Sequence, residues 1–552
     1  MINIALARTW MVGACAAWLT VNASAADAPR LVQSLDENWR FHLGVETNAV
    51  APSYDDSTWR VVDVPHDYVI EGTFAETNPF PRVTEGRAPN WYYKQGSLPV
   101  QPAVYRKTLD IPATAEGKRL WLEFDGVVSN SRYWLNGHEL GSQYSGYTRS
   151  RFDITAAANP GGTNILTVQV DPRYDGWWYE GAGIYRHVRL VTVDPVHVAP
   201  DGVFVMPVVA DPGDGVRADA TVAVNTDVKN TGATAASATL LSEILNAKGK
   251  VIASAKSEQA VAASDTAKIT QQLALSKANL WSPEHPNLYQ LRTTISVGGK
   301  TVDQLTTKFG VRQVRFDAER GFFLNGQPVK LHGVNIHQDH AGVGVAVPDR
   351  LHTWRLERLK EMGCNAIRLS HNPVTPFLLD ECDRLGFLVV AENRHLGDTY
   401  MDQCAKDVVA VEHRDLSGLV LRDRNHPSII LWSMCNEQWI QGSPEAAAMI
   451  RAMKQRVYEL DPTRPITAAM NGGLDSALGM AKELDVIGVN YHPWLYDSVR
   501  KLFPDKPIFG SETGSEVGTR GIYATNRWGG LTGDRERGYV SAYSFNALSP
   551  GQ

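Results

Sequence analysis

The chain has 552 residues, 43% of them hydrophobic and 21% charged, with a formal net charge of −6. This is room for several ordinary domains and the balance of a globular, water-soluble protein. No basic stripe stands out, which argues against a nucleic-acid partner, and beyond the N-terminus no segment is apolar enough to span a bilayer.

The chain opens with one positive charge, Arg8, then an apolar run from Thr9 to Val21 and the small-residue site Ala23-Ser24-Ala25. That pattern predicts a secretory signal peptide over residues 1–25 and a periplasmic or secreted protein. Residues 26–195 read as a β-sandwich. Leu120-Trp-Leu-Glu-Phe124 alternates like a half-buried strand, and Arg132-Tyr-Trp-Leu-Asn-Gly137 ends in an Asn-Gly hairpin turn. Residues 196–310 read as a second sandwich, rich in Ala, Thr and Val, with period two over Thr221–Val228. An immunoglobulin-like module fits that pattern. Four cysteines follow the leader (Cys364, Cys382, Cys404 and Cys435), and their spacing is not that of a zinc site, so buried thiols are expected.

From about residue 320 the pattern changes to short apolar strands alternating with helices. Strands are predicted at Val329–Val334, Ala366–Leu369, Phe387–Ala391, Ser428–Met434, Ile466–Ala469, Asp485–Val489 and Pro507–Gly510. Helices are predicted at Arg350–Met362, Pro376–Leu385 and Pro444–Leu460. This is a (β/α)8 barrel, residues 311–552, that lacks its last strand and helix, because residues 513–552 carry no convincing eighth strand. In such a barrel the residues at the C-terminal strand ends face one mouth. Glu437 ends the run Ser428–Asn436 and Glu512 ends Pro507–Ser511. Two carboxylates across one mouth suit glycosidic cleavage, one protonated to assist the leaving group and one ionised to attack or to activate water.

The order of short motifs resembles glycoside hydrolase family 2, in particular its β-galactosidase-like members. The first sandwich carries Asn38-Trp-Arg-Phe41, Val64-Pro-His-Asp67 and Gly181-Ala-Gly-Ile-Tyr-Arg186; the second closes with Leu280-Trp-Ser-Pro283. The barrel carries Leu331-His-Gly-Val-Asn335, Ile367-Arg-Leu-Ser-His-Asn-Pro373 and Ser433-Met-Cys-Asn-Glu437. The resemblance implies a sugar-binding-like jelly roll, an immunoglobulin-like sandwich and a catalytic barrel. It also implies retaining hydrolysis, with Glu437 as acid/base and Glu512 as nucleophile. Asn436 matches the residue that binds a sugar 2-hydroxyl, and Tyr491 a tyrosine beside the nucleophile. Arg368 matches the arginine that keeps the nucleophile ionised, and His371 a sugar contact. His337 and Asp339 fall where members touch substrate.

The departures matter as well. Ser515 stands where some members have a histidine. Some members hold Mg²⁺ through a Glu and a His after the third strand; here Ala391-Glu-Asn-Arg-His395 has a different spacing. No cofactor or metal is therefore expected, and Glu392 is read as an ion-pair partner of Arg394 or Arg368. The leading expectation is an exo-acting hydrolase of terminal β-galactosides. β-Glucuronidase and β-mannosidase on the same scaffold stay open, as does an inactive shortened chain with carbohydrate-binding modules. The expected partner is a carbohydrate with a terminal β-linked sugar, and the resemblance leaves a homo-oligomer open.

Overall fold

The computed structural model describes residues 28–75, 78, 98–172, 178–394 and 413–513. The leader, His395, Cys404, Ser515 and the region expected to lack an eighth strand lie outside them. Among the described residues, no helix is long and apolar enough to cross a membrane.

The first sandwich packs a four-stranded sheet against a six-stranded one. Both are antiparallel, and strands Arg119–Phe124 and Asn164–Val170 run through their middles. Alternation drives the packing: Leu120, Leu122 and Phe124 point into a core that includes Trp39, Tyr105 and Tyr133. Asn136 and Gly137 both take positive φ, as a two-residue hairpin turn requires. The second sandwich sets strands Val196–Val208, Arg217–Asn230 and Asp265–Asn279 against a four-stranded sheet. Its core is built mainly of Val, Leu and Ala.

Seven parallel strands follow in chain order: Gly333–Ile336, Ala366–Leu369, Leu388–Glu392, Ile429–Asn436, Ile466–Met470, Ile487–Asn490 and Ile508–Glu512. Helices Asp349–Glu361, Pro376–Leu385, Arg414–Asp423, Pro444–Leu460 and Tyr496–Leu502 lie between them. The ring is nearly closed: Asn335 on the first strand donates from Nδ2 to the Ser511 carbonyl on the seventh at 3.2 Å. The first strand was expected four residues earlier, at Val329–Val334. Instead Val329 donates its N–H to Phe322, extending a small antiparallel sheet of Val314–Asp317, Gly321–Leu324 and Gln327–Pro328. Phe322 and Leu324 of that sheet pack with Ala366, Leu388, Val390 and Leu431.

Strand periodicity then sorts the barrel interior into layers. Ala366, Leu388, Val390 and Leu431 belong to this inner apolar cluster, whereas Ile367, Val389 and Trp432 belong to the cluster shared with the helices. Two residues further along the same inward rows come Arg368, Glu392 and Ser433. The polar layer therefore sits above an apolar plug, at the end where the strands finish.

The first sandwich is bolted to this end of the barrel. Buried Asp67 accepts N–H bonds from Val69 and Ala182 at Oδ1 (3.1 and 3.2 Å). At Oδ2 it accepts the Tyr179 hydroxyl and the N–H of Val345, beyond the first barrel strand (2.8 and 2.9 Å). Gly344, at φ +60°, packs so closely that a β-carbon there would collide with Asp67 Oδ2. Because both oxygens face backbone donors, the amide of Asp67→Asn meets a donor in either orientation. That substitution is expected to cost about 2 kcal/mol of stability, read as a lower urea midpoint.

Candidate active site

Both carboxylate-bearing strands bulge just before their glutamates. On the fourth strand Ser433 pairs with Thr467 but Asn436 with Ala469; on the seventh Gly510 pairs with Val489 but Glu512 with Asn490. Each shift inserts one extra residue, which re-aims the side chain that follows. Glu437 and Tyr491 also take positive φ, 47° and 59°, a conformation that bulky side chains adopt only where surrounding contacts hold them. The two glutamates are thus placed by local backbone irregularity on a regular barrel.

Arg368 organises the floor. Its guanidinium grips Glu392 bidentately, Nε to Oε2 at 2.9 Å and Nη2 to Oε1 at 2.7 Å. Its Nη1 donates to Glu512 Oε1 at 2.8 Å, and Nη2 also donates to Asn436 Oδ1 at 2.8 Å. Burial works to raise the Glu392 carboxyl, but the Arg368 charge and the bonds from His371 and Ser433 hold it down to about 2. Glu392 stays ionised. One cation therefore serves two carboxylates, and the second oxygen of Glu512 accepts the Tyr491 hydroxyl.

Glu437 sits in the opposite environment. Burial, and then the charge of Glu512, push its carboxyl up to about 7, against a bond from Asn490 that lowers it. Asn490 donates from Nδ2 to Glu437 Oε1 at 2.8 Å and to Asn436 Oδ1 at 3.2 Å, while its own Oδ1 accepts Ser511 Oγ at 2.6 Å. With Oδ1 of Asn436 accepting from both Arg368 and Asn490, its NH₂ group is the end left for a ligand.

His371 is neutral: burial first, then the Arg368 charge, lowers its pKa. Its Nδ1 lies 2.8 Å from Glu392 Oε1, so Nδ1 carries the proton and Nε2, 4.0 Å from Glu512, is the acceptor. His337 packs edge-on to His371 at 5.3 Å and is also neutral, its pKa driven down to about 3 chiefly by burial, with the Arg368 charge adding to it. Asp339 lies two residues past His337, and Arg355 bonds the backbone carbonyls of both. The Asp339 carbonyl accepts from Arg355 at 2.7 Å, and its carboxyl is raised by burial. The structure brings Glu437, Glu512, Asn436, Arg368, His371, Tyr491 and His337 into one cluster, whereas no hydrogen bond or ion pair links the Asp339 carboxyl to another member among the described residues.

Glu392 was read as a partner of Arg394 or Arg368, and the partner is Arg368. Both its oxygens accept from cationic, imidazole or hydroxyl donors, so a metal ion at this carboxylate would have to displace the guanidinium. The group does not fit a metal ligand. Two further residues escaped sequence reasoning. Asn490 is the last residue of the sixth strand, next to Tyr491, and its amide reaches Glu437 and Asn436. Trp178 comes from the first sandwich, with its ring 5.3 Å from His337 and 5.5 Å from His371, beneath the Arg394 guanidinium at 4.4 Å. The Gly-Trp-Trp-Tyr stretch 176–179 was the available signal.

Three family models match along the chain. "Glycosyl hydrolase 2 galactose-binding domain-like" matches residues 83–179, "Glycosyl hydrolases family 2" matches 197–312, and "Glycosyl hydrolases family 2, TIM barrel domain" matches 317–506. The beta-galactosidase BoGH2A of Bacteroides ovatus is 35% identical over 93% of this chain and 62% of its own length. A putative beta-glucuronidase of Formosa agariphila is 33% identical over 91% of this chain and 45% of its own. The crystal structure of a glycosyl hydrolase family 2 member from Bacteroides cellulosilyticus superposes with a TM-score of 0.80 at 33% identity, covering 88% of this chain and 64% of that one. The chain thus spans less than two thirds of the length of each of these relatives. With the sandwiches, the barrel and all three matches in agreement, the chain belongs to glycosyl hydrolase family 2.

Proposed function

We propose that this chain is a retaining exo-β-glycosidase that releases terminal β-galactosyl groups. The observation that carries the reading is the opposite treatment of the two glutamates. Glu437 is held protonated near neutrality, whereas Glu512 is bonded by a guanidinium and a phenol. In the first step Glu512 attacks the anomeric carbon, the glycosidic C–O bond breaks, and Glu437 gives its proton to the departing oxygen. In the second, Glu437 takes a proton from water, whose oxygen displaces Glu512. Asn436 donates to the 2-hydroxyl, and His371 Nε2 accepts from another hydroxyl. No step is routed through a metal.

Galactose is preferred because BoGH2A is named a beta-galactosidase, and the Formosa relative keeps glucuronide as the second reading. Export by the N-terminal leader is part of the same proposal. Release of nitrophenol from β-galactoside, β-glucuronide and β-mannoside by the purified chain tests it. Turnover of the galactoside alone supports the first reading, of the glucuronide alone the second, and turnover of none contradicts both.

The raised Glu437 carboxyl has its own signature. Only the protonated form can assist departure, so kcat/KM for a poor leaving group is expected to fall above a pH of about 7, tenfold per pH unit. Glu437→Ala removes that limb. Its rate loss, on the order of 10²–10⁴ for an alkyl glycoside, shrinks to a small factor for a dinitrophenyl glycoside, which departs unaided.

A further inference from the structure

A buried cation that no catalytic step uses lies where the first sandwich meets the barrel. Arg186 is 3% exposed, and among the described residues its guanidinium is bonded to neutral acceptors alone. Buried charges are ordinarily paired, and burial pulls the pKa of this one down.

Two of the acceptors belong to its own sandwich. Nη1 donates to the carbonyls of Asp125 and Tyr147, at 3.2 and 3.0 Å. The other two belong to the barrel: Nη2 donates to Gln338 Oε1 at 2.7 Å and to the Pro373 carbonyl at 2.8 Å. Gln338 follows the first barrel strand, next to His337, and Pro373 follows the second, two residues past His371. The Tyr185 hydroxyl also donates to Gln338 Oε1, at 3.4 Å. The sequence leaves room for this approach. A β-carbon on Gly126 would come within 2.9 Å of the Arg186 and Tyr185 side chains, so Phe124-Asp-Gly126 needs its glycine.

Each loop is therefore held from two sides. Within the barrel, Arg355 donates to the carbonyls of His337 and Asp339 at 3.0 and 2.7 Å, and the Ser370 N–H donates to the Ile336 carbonyl at 3.1 Å. From the sandwich, Arg186 ties down both loops at once. Trp178 of the same sandwich packs its ring 5.3 Å from His337 and 5.5 Å from His371. One domain thus reaches the histidine pair twice, by an indole against the rings and by a guanidinium beside their backbone.

We propose that Arg186 is a positioning residue of the active site: from outside the barrel it clamps the loops of His337 and His371 and so sets where the histidines meet the sugar. This rests on the hydrolase reading, in which His371 accepts from a sugar hydroxyl.

Arg186→Met and Gln338→Leu test it, the first freeing both loops and the second only that of His337. For the preferred nitrophenyl glycoside, kcat/KM is expected to fall about 100-fold and about tenfold respectively. The Arg186→Met fall should shrink below about tenfold when His371 is already Ala, because effects that act through one group do not add. Hydrogen exchange should quicken at residues 337–340 and 370–374 for Arg186→Met and in the first stretch alone for Gln338→Leu. Helix Pro444–Leu460 should keep its protection in both. A fall that persists undiminished in the His371→Ala chain makes Arg186 only a bolt between domains and overturns the proposal. So does unchanged exchange in both stretches, or a folded Arg186→Met chain within about twofold of the parent rate. If Arg186→Met does not fold, Gln338→Leu decides: parent-like rate or unchanged exchange at 337–340 overturns the clamp. Failure of the hydrolase reading looks different: the unsubstituted chain releases no nitrophenol, while the exchange pattern still reports on the clamp.

Discussion

Glu512→Gln is expected to lower turnover of the preferred nitrophenyl glycoside on the order of 10⁴-fold or more, while the chain stays folded. The two halves of that statement have separate causes. The amide has nearly the shape of the carboxylate, and its oxygen can still accept from Arg368 Nη1, so the packing of the barrel mouth survives. Arg368 keeps its bidentate partner Glu392 and so is not left as an unpaired buried charge. The lost quantity is nucleophilicity: an amide cannot form the ester to the anomeric carbon. Glu512→Gly with added azide separates this from simple disruption. The anion enters the vacated space, attacks the same face of the sugar, and leaves an α-glycosyl azide as product. Recovery of rate with that anomer is the expected outcome; no rescue by a folded chain counts against attack by Glu512.

Arg368→Met carries the second large effect, and it combines stability with chemistry. Arg368 and Glu392 are both buried, and Glu392 is wholly removed from water. Taking away the cation leaves Glu392 and Glu512 as neighbouring buried carboxylates without a counter-charge, which costs about 3–5 kcal/mol. The substituted chain relieves this by protonating one of them, so the acid limb of the pH–rate profile should move up. A merely structural loss would lower the amount of active enzyme without moving that limb. Arg368→Lys restores charge but not the fork that spans Glu392, Glu512 and Asn436, so stability recovers more fully than rate. Denaturant midpoints and the pH profile of kcat/KM, measured on both variants, read the two effects separately.

The barrel was legible in the sequence where local signals agree. Helix Pro376–Leu385 begins with Pro at its first turn and ends against Gly386 in the left-handed region, and it was read to the residue. Strand Ala366–Leu369, entirely buried, was read equally well. The first strand was misplaced because Val329-Lys-Leu331 has strand character of its own, and only a partner in space assigns it to the small sheet beneath the barrel. The bulges before Glu437 and Glu512 leave no mark in an apolar run; they are visible only as a change of register between strands.

The site divides in the same way. Glu437 and Glu512 could be found because strand ends have a meaning in this architecture. The choice of Arg368 over Arg394 for Glu392 depends on which inward rows share a layer, a matter of strand stagger. Asn490 was passed over because one side of its strand had to be known to face Glu437. Trp178 belongs to another domain, and nothing local to it announces two barrel histidines as neighbours. Asp339, read as a substrate contact from its place after the first strand, shares with His337 a backbone brace from Arg355.

The central claim is covalent catalysis by Glu512, and intact-chain mass spectrometry tests it most directly. The purified protein is incubated with the 2-deoxy-2-fluoro β-glycosyl fluoride of the preferred sugar. Fluorine at C2 slows both chemical steps, and the fluoride leaving group restores the first, so the glycosyl-enzyme accumulates. The expected result is a mass increase of one fluorosugar, lost activity, and fragmentation that places the label on Glu512. Steady turnover without any adduct, or a label on another residue, would contradict it.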